Sequence, residues 1–305
     1  MKTYDLIIIG GGMAGLTAAV YAAQARVDTL VLEKNICGGL ANWAVEIQNF
    51  PSYETISGEA LLEKTKAQVE RLGVEIKEIE EVLRVDFQAD VKTIVTDDDT
   101  YAARAVIVAT GREPIKLPLE ADEDHVHYCA ICDGALYRDK HVLVVGGGNS
   151  GVGDALYLLT QGVGEITLVE MMDCLLAARK DQEQLLQHGN VKVMTCTQVA
   201  DIEVQEDMQC VTLKNVNTGE SECIDVCGIF VYIGQKPETD VFKGVLDMTD
   251  VGYILTDEEM ATSVAGVFAA GDVRHKKIRQ LTTAAADGTI AALSVNDYIR
   301  ALSEN

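Results

Sequence analysis

The fold of the first part of the chain is determined by the stretch Tyr4-Asp-Leu-Ile-Ile-Ile-Gly-Gly-Gly-Met-Ala-Gly15. Its apolar, isoleucine-rich half is too short for a helix and is typical of a buried parallel strand. The alanine-rich stretch from Leu16 to Ala25 favours helix, and a second apolar strand at residues 29–32 ends at Glu33. This order of strand, glycine turn, helix and strand with a terminal acid predicts a dinucleotide-binding unit.

The glycines of this turn have separate physical roles. Gly10 makes the tight turn, Gly12 lets the backbone approach a diphosphate, and Gly15 lets the helix pack closely on the strand. The diphosphate then lies at a helix N-terminus, where unpaired N–H groups and the helix dipole favour negative charge. The Glu33 carboxylate can hold both ribose hydroxyls. We therefore predict a dinucleotide site, with a purely structural glycine turn as the alternative.

The same pattern returns once, in the second half of the chain. A strand at residues 141–145, a glycine turn, a helix at 152–160 and a strand at 165–169 follow in the same order. The glycines of this turn, and the acid that ends the last strand, are Gly146, Gly148, Gly151 and Glu170. The pattern predicts a second nucleotide-binding domain, or a degenerate copy that kept the fold and lost the nucleotide.

The fold class predicted from these two units is α/β, with two Rossmann-like domains of three-layer ββα architecture, the second inserted into the first. Three prolines, Pro114, Pro118 and Pro237, bracket the second unit and are typical of connections. We predict an inserted domain at residues 114–242 and a first domain at residues 1–113 and 243–305. The alternative is that these are ordinary loop prolines.

Composition limits the partners of the chain. Its 305 residues carry 25 Lys plus Arg against 48 Asp plus Glu, a net charge of −23. This charge excludes nucleic-acid binding by phosphate neutralisation and disfavours anionic membrane surfaces. The chain has no apolar run of roughly 18–20 residues, so no membrane span is predicted. The apolar run at residues 6–9 is too short for a signal peptide, so we expect a cytoplasmic protein with mostly reduced cysteines.

The pair Cys129-Ala-Ile-Cys132, followed by Asp133, is the chemical centre of the sequence. Two intervening residues bring the sulfurs within disulfide reach at the start of a helix, where the thiolate pKa falls. The competing interpretation is half of a zinc site completed by Cys223 and Cys227. Asp133 is a candidate proton donor to a leaving thiolate, or it simply forms an Asp-Gly turn.

The remaining chemistry-bearing residues form no recognisable site. The four cysteines without a partner at a telling spacing are interpreted as small buried residues: Cys37, Cys174, Cys196 and Cys210. The histidines show no metal-ligand spacing beyond the weak His125-x-His127, and no metal site is predicted. A hydrolase elbow, Gly-x-Ser-x-Gly, is missing.

Over nearly its whole length the sequence resembles the low-molecular-weight thioredoxin reductase family of flavoprotein disulfide reductases. The motifs that carry this resemblance are the first glycine turn, Asn49-Phe-Pro51, Ile56-Ser-Gly58, Ala109-Thr-Gly111, Cys129-Ala-Ile-Cys-Asp133, Gly234-x-x-Pro-x-Thr239, Thr262 to Val273, and Arg279-Gln280. A redox pair inside the inserted domain separates this family from glutathione-reductase-like enzymes, whose pair lies near the first glycine turn.

The resemblance implies FAD on the first glycine turn, with Glu33 on the adenosine ribose. The further positions that it implies around the cofactor are Ala14, Gly39, Leu40, Asn49, Thr110, Gly111, Gly271, Asp272, Arg279 and Gln280. It also implies that Cys132 faces the isoalloxazine, that Cys129 attacks a partner disulfide, and that Asp133 protonates a leaving thiolate. Thioredoxin or a similar protein would be the partner, the inserted domain would rotate about its two connections, and the chain would form a homodimer.

The electron donor is where the sequence departs from the family. The usual NADPH reader, His-Arg-Arg, is replaced by Glu170-Met-Met-Asp-Cys174, and no arginine follows until Arg179. A carboxylate repels the 2′-phosphate of NADP, so NADH is favoured over NADPH. This stretch resembles the NADH-using flavoprotein subunit of alkyl hydroperoxide reductase.

Two features leave a second donor open. Gly153 stands where the family usually has an acid near the nicotinamide, and some relatives take electrons from ferredoxin instead. The basic cluster at residues 274–279 is a candidate ferredoxin patch, or a solvated loop. A flavin-dependent ferredoxin–NADP reductase, and a non-enzymatic flavin or zinc module, are the further alternatives.

Overall fold

The computed structural model describes residues 2–44, 46–119, 125–204 and 208–303. The chain divides into two compact units, residues 1–113 with 236–305 and residues 114–235. The chain returns to the first unit at Lys236, earlier than the predicted residue 243. The reason is packing, because Phe242 is fully buried in the core of the first unit and stacks on Phe87 with ring centroids 6.3 Å apart.

Strands and helices are interspersed along both units. The strands are β1 (Lys2–Ile9), β2 (Thr29–Glu33), β3 (Glu75–Glu78), β4 (Val82–Asp86), β5 (Lys92–Thr96), β6 (Thr100–Val108), β7 (Arg112–Pro114), β8 (Val126–His127), β9 (His141–Val145), β10 (Glu165–Val169), β11 (Val191–Met194), β12 (Thr197–Val204), β13 (Gln209–Asn215), β14 (Ser221–Val226), β15 (Gly228–Val231), β16 (Gln235–Pro237) and β17 (Val267–Ala269). The α-helices are α1 (Met13–Gln24), α2 (Gly58–Arg71), α3 (Ala130–Asp133), α4 (Asn149–Thr160), α5 (Arg179–Leu185) and α6 (Leu281–Ser303).

The first unit is built on a sheet with the strand order β3-β2-β1-β6-β5-β4, and β17 also pairs with β6. The contacts β2–β3, β1–β2, β1–β6 and β6–β17 are parallel, whereas β4 and β5 pair antiparallel. Side chains alternate across β1: Leu6 and Ile8 pack with α1, α2 and α6, and Ile7 and Ile9 pack in a second cluster with Phe87. A strand buried on both faces explains the continuous apolar run.

The second unit repeats this design. Its parallel sheet has the order β11-β10-β9-β15-β8. Val142 and Val144 pack against the helical side, while Leu143 and Val145 pack against the antiparallel sheet β12-β13-β14. The predicted α/β class with two Rossmann-like domains is thereby confirmed.

The two connections between the units are paired with each other. Strands β7 and β16, which contain Pro114 and Pro237, form a two-stranded sheet. Proline lacks a backbone N–H, and a sheet of only two strands can tolerate its absence. Among the described residues, no helix combines the length and the apolar character needed to cross a membrane.

Candidate active site

The first glycine turn has a backbone that only glycine can adopt at two of its positions. Gly10 has φ +110°, and a Cβ placed there would lie 2.4 Å from the carbonyl oxygen of Ala109. A Cβ at Gly15 would lie 1.9 Å from the carbonyl oxygen of Gly10, because α1 begins directly against the strand. The roles predicted for these two glycines agree with this geometry.

The second turn reproduces these contacts almost atom for atom. Gly146 has φ +113°, and its Cβ would lie 2.4 Å from the carbonyl oxygen of Tyr232. A Cβ at Gly151 would lie 1.9 Å from the carbonyl oxygen of Gly146. The second turn is therefore an intact copy of the first and not a degenerate one in its backbone.

The middle glycine of each turn is different because it faces open space. A Cβ at Gly12 would meet only the Gly38 carbonyl oxygen, at 4.0 Å, and a Cβ at Gly148 would meet nothing within 4 Å. A side chain would fit at either position, so the fold does not require glycine there for steric reasons. The space that they leave is what a diphosphate needs to reach the backbone N–H groups at the start of α1 or α4.

The two acids that end β2 and β10 are held in the same way. Glu33 is buried and accepts hydrogen bonds from the Gly11 amide at 2.7 Å and the Asn35 amide at 2.9 Å. Glu170 accepts from the Gly147 amide at 2.7 Å and the Met172 amide at 2.9 Å. One carboxylate oxygen points to each amide, so each oxygen keeps a lone pair for a ribose hydroxyl.

Cys129 and Cys132 form a disulfide at the first turn of α3. Cys129 is buried, Cys132 is exposed, and the amide of Cys132 donates a hydrogen bond to Sγ of Cys129 at 3.1 Å. After reduction this N–H would stabilise a thiolate at Cys129 more than at Cys132. The sequence predicted the pair at a helix start, and the resemblance alone assigned the attacking role to Cys129.

The acid beside this pair has a partner that the sequence did not reveal. Nδ1 of His127 lies 3.0 Å from Oδ2 of Asp133, and its Nε2 lies 2.5 Å from Oη of Tyr137. The imidazole also packs on the rings of Tyr137 and Phe230, with centroids 5.2 and 5.1 Å away. A histidine that is one residue of a two-residue strand gives no periodic signal, so only the structure finds it.

A second acid, which is half-buried, lies close to the redox pair. Burial raises the pKa of Asp154, whose carboxyl group lies beside the Tyr232 hydroxyl and the amide of Ala130. Burial likewise raises the pKa of Tyr232, and the charge of Asp154 adds to the effect. Both groups lie beside the backbone of Ala130, which follows Cys129. The carboxyl and hydroxyl groups next to the disulfide therefore favour their protonated forms.

Comparisons with known proteins agree with this geometry. Residues 4–288 match the family model described as pyridine nucleotide-disulphide oxidoreductase. The chain is 43% identical over 302 residues to the 34.2 kDa protein in the rubredoxin operon of Clostridium pasteurianum, with 98% of each chain covered. It is 38% identical over 311 residues to the thioredoxin reductase of Peptoclostridium acidaminophilum, again covering 98% of each. The crystal structure of Lactococcus lactis thioredoxin reductase superposes with a TM-score of 0.90 at 37% identity, covering 98% of this chain and 99% of that one.

The chain belongs to the pyridine nucleotide-disulphide oxidoreductase family. Within it, the resemblance to the low-molecular-weight thioredoxin reductases is confirmed, and the protein is a flavoprotein disulfide oxidoreductase. FAD and a nicotinamide nucleotide are the cofactors of this class.

The positions that the resemblance assigned to FAD come together in the first unit of this flavoprotein. Nδ2 of Asn49 donates to Oε1 of Gln280 at 3.2 Å, although the two residues are 231 positions apart. A Cβ at Gly271 would lie 2.8 Å from Cβ of Ala14, so these two backbones meet at the glycine turn. The amide of Gly38 bonds to the Gly11 carbonyl at 3.0 Å and fixes the short helix that contains Gly39 and Leu40 next to the turn.

Thr110 and Gly111 follow β6 and hold the returning chain. Oγ1 of Thr110 donates to the carbonyl oxygen of Glu238 at 2.6 Å, and the Glu238 amide donates to the carbonyl oxygen of Gly111 at 3.2 Å. These bonds fasten the loop at the carboxyl edge of the sheet, where ligands of open α/β folds bind.

Unpaired polar atoms mark the predicted flavin region. Among the described residues, the buried side-chain atoms without a hydrogen-bond partner in the first unit are Nε of Arg112, Oδ1 of Asp272 and Nε of Arg279. Asp272 forms ion pairs with Arg112 at 3.1 Å and Lys276 at 3.6 Å, while Arg279 lies over the ring of Tyr253 at 4.1 Å. Such atoms are costly unless a ligand satisfies them, so these residues fit FAD.

A cavity of about 230 Å³ lies at the carboxyl ends of β1 and β2 and is lined by Gly10, Glu33 and Thr110. Further acids line it, and burial raises the pKa of one of them, Glu238, which is paired with Lys34. The cavity continues the region around the Glu33 carboxylate, where the ribose of FAD is expected. The residues that line it therefore fit the adenosine part of the cofactor.

We expect Gly12→Ala to fold and to lose FAD. The added methyl group meets no atom closer than 4.0 Å, but it stands where the diphosphate approaches. An overpacking cost of about 1–3 kcal/mol corresponds to about 5–150-fold weaker binding. The ratio of flavin absorbance to protein measures this loss. The matched control is Gly148→Ala, which should keep its flavin. Stoichiometric flavin in Gly12→Ala would contradict the site.

The cysteines outside the redox pair differ from the sequence prediction. Cys37 is buried as predicted, but Cys174 is exposed and Cys196 is half-buried, because Cys174 lies in the loop between β10 and α5 and Cys196 lies in the short turn between β11 and β12. Cys210 is bonded to Cys223 in a second disulfide, which the spacing did not indicate because strand pairing brings the two together. Of the four cysteines in the zinc alternative, Cys129 and Cys132 are bonded to each other, Cys223 is bonded to Cys210, and Cys227 is free.

Two residues of the basic cluster at residues 274–279 are neutralised within the first unit. Arg274 pairs with Asp287 at 3.1 Å, and Lys276 pairs with Asp287 at 2.9 Å. Their side chains are only 14% and 10% exposed, so they offer little positive surface. Arg274 and Lys276 therefore belong to an internal network beside Asp272, whereas Lys277 of the same cluster is exposed.

The His127–Asp133 pair predicts a pH effect on stability. Burial lowers the pKa of His127 below its usual value of about 6.5, and the Asp133 carboxylate opposes this shift only in part. As the pH falls through that value, the unfolded chain therefore binds a proton at His127 before the folded protein does, and stability is lost. Measured by thermal unfolding, the His127→Asn variant should lose less stability than the parent protein when the pH falls from 7 to 5.

The control for this prediction is His188→Asn, at an exposed histidine of the same unit. It should keep the pH dependence of the parent. Identical pH slopes for the parent and His127→Asn would contradict the lowered pKa.

Proposed function

We propose that this flavoprotein reduces the disulfide of thioredoxin, or of a thioredoxin-like protein, with electrons from NADH. The observation that carries the proposal is the Cys129–Cys132 disulfide at the start of α3, with Sγ of Cys129 accepting the Cys132 amide. FAD bound on the first glycine turn supplies the two-electron transfer between the nucleotide and this disulfide. The relatives that are thioredoxin reductases support thioredoxin as the partner.

The reduced cysteines have different roles in the proposed exchange. The Cys129 thiolate, stabilised by the Cys132 amide, attacks one sulfur of the partner disulfide and forms a mixed disulfide. The Cys132 thiol then loses its proton and attacks Sγ of Cys129, which restores the enzyme disulfide and releases the second partner thiolate. Two electrons pass from the enzyme dithiol to the partner, which ends as a dithiol.

Asp133 and His127 supply the proton route for these steps. Each thiolate that leaves must gain a proton, and Asp133 is the acid next to Cys132 in the chain. His127, 3.0 Å from Asp133, orients this carboxyl group and can return a proton to it. Tyr137 fixes the other nitrogen of the imidazole, so the relay has one geometry.

Glu170 is the residue that favours NADH. Its two oxygens accept the Gly147 and Met172 amides, which fixes the carboxylate where the adenosine ribose of a nucleotide on the second turn would lie. Two ribose hydroxyls can donate to it, whereas a 2′-phosphate would place negative charge against it. Arg179, the first arginine after it, has a 92% exposed side chain and pairs with Glu183 at 3.2 Å.

Ferredoxin is the alternative donor, and the loop after β10 is the observation that favours it. Met171, Met172 and Leu176 in this loop are 50–63% exposed, in a segment where a nucleotide reader would be polar. The basic cluster argues against ferredoxin, because its Arg274 and Lys276 are already paired with Asp287 and offer little charge to an acidic partner. We therefore retain NADH as the proposed donor.

The test is anaerobic turnover with oxidised thioredoxin. The purified flavoprotein should consume NADH and generate two thioredoxin thiols per nucleotide, as counted by alkylation and mass spectrometry. Consumption of NADH without new thiols on thioredoxin would disprove the partner. Thiol formation with reduced ferredoxin, and none with NADH, would establish the alternative donor.

A further inference from the structure

The second disulfide lies in the three-stranded sheet β12-β13-β14, whereas the redox pair lies at the start of α3. Cys210 on β13 pairs in register with Asp225 on β14, and Cys223 pairs with Thr212. The disulfide therefore joins two diagonal positions of neighbouring strands, whose Cα atoms are 6.1 Å apart. Residues two positions apart in a strand share a face, so both sulfurs lie on one side of the sheet.

That side of the sheet is the outer one. The alternating residues of β13, Gln209, Val211 and Leu213, are buried and face the core shared with the parallel sheet. Cys210 is half-buried and Cys223 is exposed. A thiolate must approach one sulfur of a disulfide directly, and here the sulfur of Cys223 can be approached from solvent.

The outer face around the disulfide is acidic. The register places Glu203 of β12 beside Cys210 and Asp201 beside Thr212, and all these residues point away from buried Ile202 and Val211. An Asp225 carboxylate oxygen lies within 4.8 Å of both sulfurs.

Lys214, also on this outer face, pairs in register with Ser221 and is two positions along the strand from Thr212. Among the described residues of these strands, the outer face therefore carries three carboxylates and one ammonium group. A cationic thiol is attracted to this surface, and an anionic thiol is repelled.

We propose that Cys210–Cys223 is a second redox-active site, which opens by exchange with cationic thiols and dithiols from solvent. The site does not depend on the proposed function of the Cys129–Cys132 pair. Its substrates are small thiols that carry an ammonium group, or protein thiols set in a basic surface.

The exchange is balanced in two steps. The thiolate of a dithiol attacks Sγ of Cys223, which forms a mixed disulfide and releases Cys210 as a thiolate that takes a proton from water. The second thiol of the dithiol loses its proton and attacks the mixed disulfide. Cys223 is then released as a thiolate and is protonated in turn. The dithiol is oxidised to a disulfide, and the protein gains two thiols.

Differential alkylation of the native holoenzyme tests the proposal. In the air-oxidised protein, Cys37, Cys174, Cys196 and Cys227 are the cysteines outside disulfides, and Cys210 and Cys223 should resist alkylation. With excess cysteamine the two should become alkylated without unfolding, because a second cysteamine molecule resolves the mixed disulfide on Cys223 and leaves as cystamine. Per unit of thiolate, cysteamine should open the site about 5–10-fold faster than 3-mercaptopropionate at low ionic strength.

Charge-neutral variants isolate the cause of this preference. In Glu203→Gln with Asp225→Asn, the ratio of the two rates should fall toward one. Cys227→Ser serves as the matched control, because this cysteine of the same unit is free, and it should keep the ratio of the parent. Equal rates for the two thiols in the parent protein would overturn the proposed substrate class.

Two further results would overturn the site itself. Alkylation of Cys210 and Cys223 in the air-oxidised native protein would show that the disulfide does not form. A disulfide that opens only after denaturation would be purely structural. Both results are read on the parent protein, so no variant needs to fold for the proposal to fail.

Discussion

Cys132→Ser is expected to lower turnover of a thioredoxin disulfide at least about 10³-fold and to accumulate a mixed disulfide on Cys129. The reason is that Sγ of Cys129 accepts the Cys132 amide at 3.1 Å, an amide that a serine at 132 retains. The thiolate at Cys129 therefore still attacks, but no second thiol resolves the product. Mass spectrometry of the covalent complex, with and without reductant, measures the trapped fraction.

Cys129→Ser should be equally inactive but should trap far less partner, because the thiol of Cys132 lacks the amide contact. Both variants should keep their flavin, since neither cysteine contributes to the first unit. The matched control is Cys227→Ser, which removes a free cysteine of the same unit and should retain turnover. Preferential trapping by Cys129→Ser would reverse the two roles, and full activity in either variant would refute the proposed pathway.

The second large effect concerns the donor. We expect NADH to reduce the flavin at least about 10²-fold more efficiently than NADPH, a ratio typical of one charged group that is satisfied by one ligand and opposed by the other. Glu170→Gln should lower the efficiency with NADH about 10-fold and narrow this ratio, because the amide accepts fewer hydrogen bonds and carries no charge. Anaerobic stopped-flow flavin bleaching measures both ratios.

The control for the donor experiment is Glu165→Gln, at the exposed start of the same strand. It removes one carboxylate from the unit without touching the second turn, so the ratio should stay at the value of the parent. Faster bleaching by NADPH than by NADH in the parent protein would show that Glu170 does not read the ribose.

The sequence predicted both dinucleotide folds because their signals are local. A run such as residues 6–9 is buried on both faces, so its pattern is continuous, and the glycines next to it follow from backbone geometry alone. The helices α1 and α4 begin three residues earlier than the alanine-rich and apolar stretches indicated, at Met13 and Asn149. They do so because the glycine turn runs directly into the helix.

Other elements carried little signal. The strands β12 and β14 have one face in solvent and several charged residues, so charge masks their alternation. The return of the chain to the first unit at Lys236 depends on the burial of Phe242 against Phe87, a contact between residues far apart in sequence. No local pattern could have placed that boundary.

The sequence by itself determined the α/β class, the two glycine turns with their acids, and the Cys129–Cys132 pair, since each depends on residues within about one strand–turn–helix unit. Only the tertiary structure decided that His127 contacts Asp133, that Asn49 contacts Gln280, and that Cys210 is bonded to Cys223. These contacts join residues brought together by sheet register and helix packing, and the spacing of residues along the chain does not encode them.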